Sequence, residues 1–479
     1  MIVTGTSMDN KVKNQIRSIV GKEHCSDRKE DLFLYSYDAM NRRYLPDMVA
    51  HPSSAQEISR LINLANEQLF AIVPRGAGTG LTGGSLAVDG GLIITTSRMN
   101  RILEIDPENQ TAWVEAGVFN GDLQSAAAGY GLFFPPDPAS MDFSTLGGNA
   151  AENAGGARAV KYGVTRDYVM ALEVVMPTGE IVHTGSAAIK SVTGYDLTRL
   201  IVGSEGTLGV ITRLLLKLIP IPEAVGTMLA AFPEISTAAK AVASIMSSRV
   251  TPSTLEFMDR TAVECVKEYL HDDIPSDVAA LLLVEVDGSP SVVEADAKVL
   301  ENKCLEAGAL YVQSARDFKE REALWTARRA LSPAIMKIRP LKINEDVAVP
   351  RMKIPDLITG IEELARKHRL TIVNFGHAGD GNVHVNLLLD PEDKKEVSRA
   401  DHCVKELFQL VISLGGTLSG EHGIGIAKAP YLDIELESSA TDVMRKIKQA
   451  LDPKNILNPH KTFDYDKTSL ERELSPDNG

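Results

Sequence analysis

Residues 75–84 read RGAGTGLTGG, and half of these ten positions are glycine. The run follows an apolar stretch, FAIVP, that reads as a strand. Glycine lets backbone N–H groups approach an anion closely, so a strand leading into such a loop describes a nest for phosphate oxygens, with Arg75 beside it as a cation. Gly78 to Gly83 spell G-x-G-x-x-G, the dinucleotide fingerprint. That fingerprint requires a helix directly after the glycines, and here GSLAVDGGLIITT continues as loop and strand. The chain therefore holds its ligand in some other way than a Rossmann unit does.

A second glycine-rich segment, STLGGNAAENAGGARAVKYG, spans Ser144 to Gly163 and is entered through the proline-fixed stretch PPDPAS, Pro135 to Ser140. Two such segments suggest a large cofactor with both a pyrophosphate and a ring system to hold. Around them, Ser54-Ala55-Gln56-Glu57 forms a capping-box pattern opening a helix through Ile58, Leu61, Ile62 and Ala65. GLIITT, ILEID and TAWVEAG read as strands. NGDLQSAAAGYG reads as a helix opened by Asn120 and closed by Gly131. YVMALEVVMPTGEIVHTG reads as strand, Thr178-Gly179 turn and strand.

After Pro222 glycine becomes sparse, and helical patterns such as STAAKAVASIMSS alternate with strands such as VAALLLVEVDG. A chain of 479 residues exceeds one ordinary core. The expected division is 1–220 as a cofactor domain of two α/β parts, 221–440 as a second domain and 441–463 as a returning C-terminal segment, with 464–479 a charged, disordered tail. A formal charge of -14 argues against nucleic acid or an anionic membrane surface as partner. No apolar run reaches the length of a transmembrane span, and MIVTGTSMDNKVKNQIRSIV lacks a basic region before an apolar one, so the expected location is cytoplasmic. Cys25, Cys265, Cys304 and Cys403 are scattered without C-x-x-C spacing, which suggests neither an iron–sulfur cluster nor a cysteine zinc site.

The second domain contains HAGDGNVH, His377 to His384, between the strand-like runs LTIVNFG and VNLLL. Asp-Gly is the preferred pair for a two-residue hairpin loop. With Asp380-Gly381 as that loop, Gly379 pairs with Asn382, Ala378 with Val383, and His377 faces His384 directly, their Cβ atoms about 4.5–5.5 Å apart. Asn386 points to the same face. One histidine on an apolar strand is usually a satisfied core residue, whereas an opposed pair has a metal-chelating spacing.

Taken together, PRGAGTGLTGG, PPDPAS, STLGGNAAENAGG, KYG, GYDLTRLIVGSEGTLGVIT, FGHAGDGNVHVN, SGEHGIG and LDPKNILNPHK resemble the FAD-linked 2-hydroxy-acid dehydrogenases of the vanillyl-alcohol-oxidase superfamily, in particular the group of D-lactate dehydrogenases and glycolate oxidase flavoprotein subunits. The motifs run in the same order from about residue 30 to about residue 463. The resemblance implies an α+β chain, with a two-part FAD-binding domain of the vanillyl-alcohol-oxidase and p-cresol-methylhydroxylase type and an α+β cap domain built on an antiparallel sheet.

It also implies residue roles. Arg75, Gly76, Ala77, Gly78 and Thr79 would wrap the FAD pyrophosphate. Pro138, Ser140, Thr145, Gly148, Asn149 and Asn153 would line the flavin, Glu205, Gly206, Val210 and Ile211 would flank the adenine side, and Asn458 would return to the flavin ring. Residues 75–84 contain neither histidine nor cysteine, so FAD is expected to be non-covalent. His377, His384 and Glu421 would bind a zinc-like divalent metal, with His422 as catalytic base and Arg328 holding the substrate carboxylate. Lys342 and Asn386 would face the substrate.

Alignment on Pro350 puts Asn344 where the D-2-hydroxyglutarate branch has a lysine, which favours D-lactate, oxidised to pyruvate, over glycolate and D-2-hydroxyglutarate. The competing class is a non-catalytic electron-relay flavoprotein subunit. Electrons would leave to a partner, an electron-transferring flavoprotein or an iron–sulfur subunit.

Overall fold

The computed structural model describes residues 8–40, 42–270, 274–275 and 277–464. The tail expected to be disordered lies outside the described residues apart from Asp464. The chain divides into two compact units. The first joins 1–154, 164–220 and 421–479, and the second joins 155–163 and 221–420. Residues 421–440 thus group with the first unit, and 155–163, the second half of the second glycine-rich segment, with the second.

In the first unit a four-stranded sheet runs in the order Cys25–Ser26, Met48–Ala50, Leu92–Thr95, Ile72–Arg75, and its last three strands are parallel. Parallel strands need a crossover, supplied by helix Ala55–Gln68. Ser54 Oγ accepts the Glu57 N–H at its start, while Glu57 reaches back to the N–H of Ser53 rather than to that of the cap residue itself. Ile58, Leu61, Ile62 and Ala65 are fully buried, which confirms the helical stripe. A five-stranded antiparallel sheet follows in the order 102–106, 111–115, 210–217, 169–175, 181–185. Helix Asn120–Ala128 forms where expected, but Phe119 occupies its N-cap and Gly129 its C-cap; the Asn120 amide instead donates to the Pro136 carbonyl.

The second unit is built on a seven-stranded antiparallel sheet in the order 311–314, 224–232, 280–288, 254–259, 371–377, 382–389, 341–348. Helix Phe318–Ile335 covers one face, with Leu324, Leu331, Ala334 and Ile335 in a core shared with Leu229, Met258, Leu281, Leu283, Phe375 and Leu388. Among the described residues no helix is long and apolar enough to cross a membrane.

The hairpin register differs from the sequence expectation. His377 pairs with Asn382, and His384 with Phe375, so the connection is the four residues Ala378 to Gly381 rather than Asp380-Gly381 alone. The Gly379 N–H donates to the Leu255 carbonyl, drawing the turn onto a third strand, and the Asp380 and Gly381 N–H groups both donate to the His377 carbonyl. The register moves by two, and side chains alternate with period two, so both imidazoles still share one face.

Candidate active site

In the first unit the two glycine-rich segments meet. The loop after strand Ile72–Arg75 approaches Thr145 so closely that any side chain at Gly76 would overlap its hydroxyl, and a side chain at Gly78, at φ +73°, would overlap the Arg75 guanidinium. Buried Arg75 donates to the Tyr37 carbonyl at 2.8 Å and to Ser85 Oγ at 3.3 Å. Thr145 Oγ accepts the Gly148 N–H and so caps helix Leu146–Glu152, which ends at Asn153 in the left-handed region. The Gly203 and Glu205 N–H groups close that helix on the Ala150 and Ala151 carbonyls.

Pro138 is buried and Ser140 half-buried in the turn before Thr145, while Ala77 is exposed and Thr79 half-buried. Val210 and Ile211 are buried at the start of their strand, and Gly206 lies against Pro74. Asn458 is buried and donates to the Gly84 and Glu205 carbonyls at 2.8 and 2.7 Å. The Glu205 side chain is turned to the backbone of Ile424 and Gly425. Asn149 Nδ2 and Asn458 Oδ1 are buried without a protein partner. Buried polar atoms are almost always satisfied, so these two fit a polar ligand seated on the glycine loops, as FAD would be.

In the second unit one face of the sheet carries a polar row. Along it the register aligns Thr227 with Glu285 and Thr254, Glu256 with His377, His384 with Asp346, and Asn386 with Asn344. The two imidazoles lie with centroids 5.1 Å apart and nearly perpendicular, and are 8% and 7% exposed. His377 Nδ1 sits 2.5 Å from Glu256 Oε1, which leaves Nε2 as the ring atom turned away from that carboxylate. Arg328, on the covering helix, directs Nε and Nη2 to Glu256 Oε2 at 2.7 and 2.6 Å and stacks over Phe375 at 4.9 Å. Burial pushes the Glu256 carboxyl up, but the His377 and Arg328 charges and hydrogen bonds outweigh it and hold the group at about 2. The Arg328 fork, expected to face a substrate carboxylate, is thus occupied along one edge by a protein carboxylate, and Nη1 lies outside that pair.

Asp346 is fully buried and lies 3.5 Å from His384 Nδ1. It accepts the Asn382 amide at 2.6 Å, Ser419 Oγ at 3.2 Å and the Gly420 N–H at 2.9 Å. Each of Asp346 and His384 offers a ligand atom, and a buried carboxylate beside a buried imidazole is a donor set that fits a divalent cation. Gly420 lies so close to Asn382 that a side chain there would overlap its amide, and the next residues in the chain are Glu421 and His422. Lys342 donates to Ser332 at 3.0 Å, and burial pushes its pKa down. Asn386 accepts the Asn344 amide at 2.7 Å and donates to the Val373 carbonyl. Sequence reasoning missed Asp346 and Glu256. The signal for each was a carboxylate set into an otherwise apolar strand, in INEDVAVP and in TLEFMD.

A unit of parallel and antiparallel sheets whose glycine loops carry buried, unsatisfied amide atoms, and a second unit built on an antiparallel sheet with a polar row on one face, are the parts of a flavoprotein of the vanillyl-alcohol-oxidase type. A solved structure of p-cresol methylhydroxylase overlays with a TM-score of 0.77 at 17% identity, covering 95% of this chain and 96% of that one. Residues 46–185 match the family described as "FAD binding domain", and residues 221–462 match "FAD linked oxidases, C-terminal domain". The chain belongs to the FAD-linked oxidases. It is 44% identical over 95% of its length to the glycolate oxidase subunit GlcD of Bacillus subtilis, covering 97% of that protein. It is 36% identical to a D-lactate dehydrogenase of Anaerostipes hadrus, covering 93% of this chain and 94% of that one.

Proposed function

We propose that the protein oxidises a short 2-hydroxy acid, glycolate or D-lactate, to the 2-oxo acid. The observation that carries this reading is the polar row on the second unit's sheet, where His384 and Asp346 sit beside the Glu256–His377–Arg328 chain. Of the two relatives quoted, the glycolate oxidase subunit is the more identical, which sets glycolate ahead of D-lactate. A dicarboxylate such as D-2-hydroxyglutarate would need a second cation. Lys342, on the same face, is turned to Ser332 and has its charge disfavoured by burial.

Arg75 to Thr79, Thr145, Gly148, Asn149, Asn153 and Asn458 would hold FAD non-covalently, and FAD would supply the two-electron acceptor. His384, Asp346 and Glu421, with His377 Nε2 as a further donor, would hold a divalent ion, which would supply Lewis-acid charge to stabilise a developing alkoxide. His422 takes the hydroxyl proton on a ring nitrogen, which raises the electron density that expels the hydride from C2. Arg328 offers its outer edge to the substrate carboxylate, while Glu256 fixes the orientation of both Arg328 and His377. Asn386 and Asn344 flank this row. Electrons pass on to a partner protein, a reading supported by the word "subunit" in the name of the 44% relative and by the absence of any C-x-x-C pair in this chain.

The test is an anaerobic mixing experiment with glycolate, D-lactate and D-2-hydroxyglutarate, following flavin absorbance. Bleaching by the first or second, abolished by a strong chelator and restored by added metal, is the expected result. Bleaching by no 2-hydroxy acid would refute the reading and favour an electron-relay subunit. Chelator-insensitive bleaching would refute the metal's part in it.

A further inference from the structure

The residues that follow His422 are held by the loops of the flavin cradle, all within the first unit. Thr82 accepts the Ile426 and Ala427 N–H groups on its carbonyl at 2.9 and 3.1 Å, and its hydroxyl donates to the His422 carbonyl at 3.4 Å. The Thr462 N–H donates to the Gly425 carbonyl at 3.0 Å. The carboxyl group of this set belongs to Glu205. Its two carboxylate oxygens accept the Ile424 and Gly425 N–H groups at 2.8 and 2.7 Å, one oxygen to each.

Glu205 is 7% exposed, and its backbone lies at φ +51°, a left-handed conformation that costs a residue with a Cβ about 1 kcal/mol or more. Its N–H meanwhile closes the C-terminal end of helix Leu146–Glu152 on the Ala151 carbonyl, and its own carbonyl accepts the Asn458 amide. One residue therefore ties the helix of the second glycine segment, the returning C-terminal turn and the segment that carries His422. Gly423 and Gly425, at φ +87° and +51°, have no room for side chains: at Gly423 one would overlap the Glu152 carboxyl, and at Gly425 the Thr82 carbonyl. Burial pushes both carboxyls up, Glu152 well up and Glu205 against the pull of the Ile424 and Gly425 N–H groups.

We propose that Glu205 is a positioning residue for the reaction: its carboxylate clamps the backbone two and three residues past His422 and so fixes that imidazole relative to the flavin cradle. The inference rests on the proposed role of His422, and the clamp itself can be tested without it. The variant is Glu205→Gln in the full chain with FAD bound. An amide presents one acceptor oxygen where the carboxylate presented two, so one of the two N–H groups loses its partner and faces a donor.

Hydrogen exchange of peptides spanning 421–427 is expected to quicken at least tenfold, while exchange in helix Leu146–Glu152 stays as in wild type and FAD content is unchanged. Flavin reduction at saturating substrate is expected to slow by roughly 10- to 100-fold, the order expected of a misplaced catalytic group, with KM within about twofold of wild type. Wild-type exchange across 421–427 in Glu205→Gln would overturn the clamp. Loss of FAD together with faster exchange throughout the cradle would overturn it as well, by showing that Glu205 merely stabilises the fold. Faster exchange at 421–427 with undiminished flavin reduction would leave the clamp in place and overturn its link to catalysis. Failure of the proposed function would appear separately, as wild-type protein that no 2-hydroxy acid bleaches.

Discussion

Arg328→Met separates two jobs that one guanidinium could do. Glu256 is fully buried, and its charge is balanced by His377 on one oxygen and by two Arg328 donors on the other. Removing the cation leaves a buried carboxylate with the His377 imidazole as its remaining partner in this chain of contacts, and breaking a buried pair from one side costs about 3–5 kcal/mol. The guanidinium's stacking on Phe375 is lost too, worth about 0.5–2 kcal/mol. In a unit of this size each kcal/mol lowers the unfolding midpoint by about 2–4 °C, so a fall of roughly 10 °C is expected.

Trp325 donates to Glu285 in the same unit, and the chain's other tryptophan, Trp113, lies in the first unit. A Trp113→Phe background therefore makes tryptophan fluorescence a local thermometer for the second unit. Adding Glu256→Gln to Arg328→Met should recover part of the loss, because the amide oxygen still accepts from His377 and no uncompensated charge remains. A midpoint within about 2 °C of the parent, together with a KM for the acid raised more than tenfold, would refute this reasoning. It would show that Arg328 serves the substrate rather than Glu256.

Asp259 is buried at a helix N-cap, where it accepts the Ala262 and Asn374 N–H groups. Burial raises its carboxyl to about 6 against the hydrogen bonds that pull it down. Its folded value lies above the unfolded one, so its stabilising contribution is complete below about pH 4 and is lost as pH rises through about 6. The stability difference between wild type and Asp259→Asn should accordingly shrink by roughly 3 kcal/mol between pH 4 and pH 7 in urea titrations, and a pH-independent difference would contradict it. Lys448 is buried with its ammonium on the Thr207 and Leu457 carbonyls and on Asp452. Lys448→Met should release the turn that carries Asn458 and weaken FAD retention on gel filtration by tenfold or more, and full flavin content after dilution would refute that link.

Much of the fold was legible because its signals are local. Ser54 and the apolar spacing after it announce a helix, and the glycine segments declare their loops by composition alone. The hairpin was read in the wrong register for a non-local reason. Asp380-Gly381 suits a two-residue loop, yet the hydrogen bond from Gly379 to Leu255 on a third strand favours a wider turn, and nothing in HAGDGNVH encodes that neighbour. The shared face of His377 and His384 survived because a shift of two preserves it. Asp346 and Glu256 were missed because their meaning comes from pairing partners 38 and 121 residues away in sequence. Likewise, Arg328 sits on a helix that also carries the exposed pair 322–329, and only the folded sheet distinguishes it from that pair.

The first unit is finished by residues synthesised long after its glycine loop. Ile72 receives Leu457 as a bridge partner, and Gly84 receives the Asn458 amide. A ribosome adding about 5–20 residues per second needs on the order of half a minute to travel from the glycine loop to these closing residues. During that interval the nascent loop has neither its C-terminal turn nor the 424–425 backbone that Glu205 grips, while the strands 224–389 have already emerged. Completion of the cofactor cradle is thereby delayed until residues 457 and 458 have emerged, and premature termination anywhere before residue 457 should yield chains that cannot keep their flavin, however well their second unit has folded.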